Sequence, residues 1–142
     1  MKTYRAQEIA NYIVNRSIER GHPVNNLTLM NLLYYLQRKS LRQKSQRLFW
    51  DEFEAWQIGP VVPNIYYTFC TYGATPIFLK QKELPDLDWA AKMMIDGTLV
   101  LCGLMPWDWA REIKHVGGAW DIVYCSGNIG DPIPIDLIIE KG

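Results

Sequence analysis

Leu29-Met30-Asn31-Leu32-Leu33-Tyr34-Tyr35-Leu36 is the stretch on which the fold turns. Seven of its eight residues are apolar, and the one polar residue is Asn31. An apolar stripe on one side marks a helix lying on a core, whereas apolarity all round marks a helix inside one. Upstream, Pro23 makes a turn and Asn25 or Asn26 suits a helix cap. The stretch therefore predicts a central helix buried nearly all round, with the other elements packed about it.

On the N-terminal side, Ile9, Ala10, Ile13, Val14, Ser17 and Ile18 recur at helical spacing while Glu8, Asn15, Arg16, Glu19 and Arg20 fall opposite. This is an amphipathic first helix, with Thr3 placed to cap it and Gly21 and Pro23 to end it. On the C-terminal side, residues 48–58 are rich in aromatics and end at Gly59-Pro60, which predicts a short extended segment. Pro63 suits the first position of a third helix reaching about Tyr72, with Gly73 as a left-handed terminator. A loop holding Pro76 and Pro85 follows. Asp86 or Asp88 then caps a long helix to about Leu104, with Leu87, Ala90, Ala91, Met94, Ile95, Leu99 and Cys102 as its apolar face. Residues 106–115 read as a further helix ended by Gly117-Gly118, and Pro134 opens a short last one. The expected fold is mainly α: a single compact domain over residues 1–142, with five to six helices and a short β segment within 48–62.

The 142 residues are 49% apolar and 21% charged, and a chain of this length buries about 68% of its unfolded surface without needing a metal or disulfide. Fifteen basic side chains balance fifteen acidic ones. That balance speaks against a generic nucleic-acid or membrane-surface binder, which depends on a basic footprint. Residues 1–82 nevertheless carry +6 and residues 83–142 carry −6. Arg38, Lys39, Arg42, Lys44 and Arg47 fall within ten positions that hold no acid, a candidate docking patch for an acidic protein surface. Three cysteines without a C-x-x-C pair suit a reducing, cytoplasmic setting, as buried inert thiols. The first eight residues contain no apolar run of signal-peptide length.

The chemistry-bearing residues form no catalytic constellation. His22 and His115 are far apart in sequence, no Cys or His pair has ligand spacing, and no phosphate-binding glycine loop occurs. Neither a metal nor a cofactor is expected, and no catalytic residue is assigned. Asp51, Glu52 and Glu54 read as an exposed acidic rim. Tyr34, Tyr35, Trp56, Tyr66, Trp107, Trp109 and Trp120 are candidate core aromatics, and any left exposed would be interaction anchors.

Three segments carry a resemblance. Residues 29–37 are similar to a Leu-x-Lys-Leu-Leu-Tyr motif, and residues 53–66, Phe-Glu-Ala-Trp-Gln-Ile-Gly-Pro-Val-Val-Pro-Asn-Ile-Tyr, are similar to a Glu-Ala-Trp-x-x-Gly-Pro-Val-x-Pro-x-x-Tyr motif. His115 to Trp120 resembles a late His…Trp pair. Together they resemble the Panacea-domain family, which includes SocA-like antitoxins. The chain departs from the family pattern in two ways: Asn31 stands where the motif has Lys, and Arg38-Lys39 replace a Gly-aromatic pair. The resemblance implies a cytoplasmic, non-enzymatic antitoxin that binds a cognate toxin. In some members a protease is a further partner, to which the toxin is delivered. A DNA-binding autoregulator and a small Cys or His115 hydrolase are the alternatives from other classes. Nucleic acid is disfavoured as a partner, because the second helix lacks base-reading residues at its N-terminal end. The candidate partner-binding residues are Trp56, Gly59, Pro60, Tyr66, Arg38, Lys39, Arg42, His115 and Trp120.

Overall fold

The computed structural model describes residues 1–104, 106–127 and 130–142. In chain order they form α1 (Ala6–Glu19), α2 (Asn26–Lys44), β1 (Glu54–Trp56), β2 (Gly59–Val61), α3 (Pro63–Thr68), a 3-10 turn (Cys70–Tyr72), α4 (Trp89–Leu104), α5 (Pro106–Ile113), α6 (Ala119–Cys125) and α7 (Ile135–Lys141). The mainly helical expectation is met. One short helix, α6, adds to those read from the sequence. Its seven residues begin directly after the Gly117-Gly118 turn, and so short an element shows no clear periodicity.

The central element is α2. It packs against α1, α4, α5, α7 and β2, and Leu29, Met30, Leu32, Leu33, Tyr34 and Leu36 are wholly buried. The cap is Asn25, whose side-chain oxygen accepts the Thr28 amide hydrogen at 2.8 Å. Polar side chains on this helix are buried too, and Asn26, Gln37, Arg38 and Ser40 bond to groups outside it. Gln37, with no exposed surface, donates Nε2–H to the Phe49 carbonyl at 2.8 Å, and its Oε1 accepts the amides of Leu48 at 2.8 Å and Phe49 at 3.3 Å. That one side chain meets donors and an acceptor on one side of the returning backbone, as a short strand would. On its far side the same backbone pairs with Tyr4: Tyr4 N–H donates to the Leu48 carbonyl and Trp50 N–H to the Tyr4 carbonyl.

Thr3 is not the cap of α1. Its hydroxyl bonds the Arg47 carbonyl, and the first turn is served by Glu8, which accepts the Arg5 amide at 3.0 Å, and by Asp51, which accepts the Ala6 amide at 2.8 Å. The Asp51 carboxylate thus caps a helix 45 residues away in sequence, where the positive end of the helix dipole favours it. This corrects the reading of Asp51 as part of an exposed acidic rim. Asp88 caps α4 through the Ala91 amide at 2.9 Å.

Three contacts bridge the charge asymmetry along the sequence. Arg38 pairs with Glu112 and Arg16 with Asp96, and the Lys2 amide bonds Asp88. At these points the basic first half meets the acidic second half. No described helix is long and apolar enough to cross a membrane.

Two outcomes follow for stability. Gln37→Leu leaves two buried amides and a carbonyl without partners, at about 1–3 kcal/mol per orphaned group. Urea denaturation of the variant is expected to show a loss of about 3 kcal/mol or more, and a loss below about 1 kcal/mol would contradict the role given to Gln37. For Asp88, burial alone would raise the carboxyl, but hydrogen bonds from the Ala91 and Lys2 amides and the Tyr4 hydroxyl outweigh it and hold the group below its ordinary value. A carboxylate depressed in the folded state stabilises fully above its unfolded value of about 3.9 and loses that contribution as pH falls through the folded value. Asp88→Asn is therefore expected to flatten the acid limb of a stability–pH curve below about pH 4, whereas an unchanged limb would remove Asp88 from the acid transition.

Candidate functional site: an aromatic face at the hairpin

The antiparallel hairpin β1–β2 turns through Gln57 and Ile58, with Glu54 opposite Val61, Ala55 opposite Pro60 and Trp56 opposite Gly59. Gly59 has φ +128°, a conformation that side-chain-bearing residues rarely adopt. A Cβ on Gly59 would also meet the Lys114 stem at 3.6 Å. On the other side of β1, the Ala55 amide donates to the Asp131 carbonyl and the Gly130 amide donates to the Ala55 carbonyl. β1 is therefore held on both edges. Pro63 then opens α3, as the sequence predicts.

Aromatic side chains gather on this frame. The Trp56 ring meets Tyr66 edge-on at 5.2 Å and Tyr67 at 5.9 Å, while its Nε1–H donates to Glu54 at 2.9 Å. From α6, Trp120 donates Nε1–H to the Trp56 carbonyl at 2.7 Å and stacks on Tyr124 with centroids 4.8 Å apart. Lys114, at the end of α5, lies 4.9 Å over the Trp120 ring and donates to the Gln57 carbonyl at 3.2 Å. His115 is exposed, with Nδ1 2.6 Å from the Glu112 carbonyl. Its ring rests against Gly118, where a Cβ would lie 2.6 Å from Cε1.

Six of the nine sequence-predicted residues thus share one region: Trp56, Gly59, Pro60, Tyr66, His115 and Trp120. Gly59, Pro60 and Trp120 are buried and Trp56 and Tyr66 half-buried, so these five form the frame. The outward surface belongs to residues that motif reading passed over, Tyr67 at 61% exposure and Ile58 at 37%. The signal for Tyr67 was its place in a helix begun at Pro63, where the neighbour of a packed Tyr66 must face outward. Ile58 is an apolar residue at a turn position, where polar residues prevail.

The basic residues lie elsewhere. Arg38 is buried, at 6% exposure, with a two-pronged pair to Glu112 at 2.8 and 2.7 Å and a bond to the Gly142 carbonyl at 3.0 Å. It joins α2 to α5 and α7, which corrects its placement in a surface patch. Lys39 lies 5.8 Å over the Tyr35 ring. Arg42 reaches the Ile139 carbonyl at 3.1 Å and the Gly142 carbonyl at 3.3 Å.

Two of the three thiols are also placed differently from expectation. Cys70 and Cys125 are exposed and Cys102 is half-buried. Each of the exposed pair sits in a short surface element, the 3-10 turn or the end of α6, that has only one side to bury. Cys125 donates its S–H to Asp121 at 3.2 Å, and this bond, with burial and the carboxylate charge behind it, pushes the thiol up. A raised thiol is a poorer nucleophile. Among the candidate core aromatics, Tyr34 and Trp120 are buried and Tyr35, Trp56, Tyr66 and Trp109 are half-buried, while the Trp107 side chain lies outside those described. Among the described residues, no three His, Cys, Asp or Glu side chains converge as metal ligands would.

Residues 29–96, from α2 through the hairpin and α3 into α4, match the family model described as "Antitoxin SocA-like, Panacea domain". The chain is 28% identical over 130 residues to Antitoxin SocA of Caulobacter vibrioides (strain NA1000 / CB15N), an alignment covering 83% of this chain and 69% of that protein. No solved structure matches the chain significantly. Lys114, His115 and Trp120, which complete the aromatic face, fall outside the matched segment. The matched segment holds most of α2 and the whole Glu-Ala-Trp…Gly-Pro-Val hairpin, and over it the chain is similar to the SocA-like Panacea-domain family.

Proposed function

We propose that this protein is the antitoxin of a toxin–antitoxin pair and neutralises a co-expressed toxin by direct contact, as a binding protein rather than an enzyme. The family supports the antitoxin role. The observation that carries the contact is the aromatic face: Tyr67 and Ile58 stand exposed on a frame fixed by the Trp120–Trp56 hydrogen bond and the Lys114 clamp. Aromatic side chains on a rigid support make strong interface anchors, because little conformational freedom remains to be lost on binding. Exposed loops at a hairpin tip also vary without disturbing the core beneath, which suits recognition of one particular partner.

Co-expression with the neighbouring open reading frame tests the reading. The neighbour alone is expected to arrest growth, the pair to grow, and the two proteins to co-purify. Ile58→Asp and Tyr67→Ala are then expected to weaken the complex by about 2 kcal/mol each, roughly 30-fold in Kd, with little change in melting temperature because both side chains are exposed. A non-toxic neighbour, or a complex indifferent to both substitutions, would overturn the assignment of this face.

A further inference from the structure

Away from the aromatic face, the C-terminal end of α2 and the side of α7 border a groove of about 500 Å³. Leu41, Ile135 and Ile139 supply its apolar surface, Arg42 and Arg47 its charge, and no acidic side chain lines it. Ile139 is 41% exposed. Arg42 is held in place by the Ile139 carbonyl and an oxygen of Gly142. Among the described residues the ion pairs use Arg5, Arg16 and Arg38, and none engages Arg42, Lys44 or Arg47. Beside the groove, the Arg47 guanidinium lies 5.9 Å from the ring of the exposed Trp50.

We infer that this groove docks a partner-protein segment that is acidic and apolar together. An aliphatic or aromatic side chain of the segment sits between Leu41, Ile135 and Ile139, and flanking carboxylates meet Arg42 and Arg47. Charge complementarity selects this occupant: two cations that pair with no acidic side chain among the described residues border an apolar surface, and an acidic segment supplies both halves of the match. The alternatives fit less well. A nucleic acid calls for an extended row of cations, where this groove offers two beside an apolar floor. A bilayer also calls for a protruding apolar face rather than a recessed one. The groove shares no residue with the aromatic face, so the inference stands or falls separately from the reading of that face.

The probe is a fluorescein-labelled peptide of about twelve residues repeating Leu-Glu-Glu, with a Leu-Lys-Lys counterpart, titrated with the full chain by anisotropy. The acidic peptide is expected to bind at least about ten-fold more tightly than the basic one and to weaken several-fold as salt rises from about 0.05 to 0.5 M. Arg47→Glu and Ile139→Ser are each expected to raise its Kd about ten-fold. Met93→Ser, exposed on α4, is the control and leaves it unchanged. Equal binding of the two peptides, wild-type affinity in both groove variants, or capture of vesicles of phosphatidylserine in place of the acidic peptide would each overturn the inference.

Discussion

A helix surrounded on all sides can bury its apolar residues at no further cost, but any polar group it carries must find a partner in a place water does not reach. That constraint organises this molecule. Gln37 and Arg38 on α2 are both buried, and each reaches a different part of the chain. The amide of Gln37 holds the backbone at Leu48 and Phe49, fixing where the chain returns after α2. The guanidinium of Arg38 holds Glu112 of α5 and the carbonyl of Gly142. Charge-assisted two-pronged bonds are specific in direction as well as strong, so the pair sets the orientation of α5 while it neutralises a buried charge.

The aromatic face inherits its rigidity from these anchors. Once the chain is fixed at Phe49, the hairpin begins a few residues on, with Phe53 packed edge-on to Tyr34 of the same central helix. Glu112, held by Arg38, precedes Lys114 by two residues, and Lys114 spans from the hairpin turn to Trp120. The outer surface of Ile58 and Tyr67 therefore rests on a chain of contacts that leads back to α2. The hydroxyl of Tyr34 lies buried within that chain, and burial, only partly offset by Arg38 and Arg42, pushes it up to about 12. The ring stays neutral at any physiological pH.

Much of this was legible in the residues. The apolar run at 29–36 announced the central helix, the pairs Asn25 or Asn26 and Asp86 or Asp88 held the caps of α2 and α4, and Gly59-Pro60 followed by Pro63 marked the turn and the helix after it. These signals are local: a cap, a turn or a periodicity is decided within a few positions. What stayed hidden was non-local. Arg38 reads as the first residue of a basic surface run, and only the arrival of Glu112, 74 residues later, makes it a buried link. Asp51 reads as one of three neighbouring acids until it meets the start of α1. The +6 and −6 halves likewise carry no instruction about whether they separate or interleave. Motif reading of the site found the frame rather than the contacting surface, because the motif residues Trp56, Gly59 and Tyr66 hold the hairpin together while Tyr67 and Ile58 face outward.

If α2 is the element on which the rest depends, it must be the last to open. Native-state amide hydrogen exchange across the whole chain measures this directly. The amides from Leu32 to Leu41 are expected to exchange only through global unfolding, with opening free energies equal to the denaturant value, while α3, α6 and the loop at 74–85 open at lower cost. Exchange of the α2 amides through a cheaper local opening, with α1 or α4 better protected, would contradict the central place given to that helix.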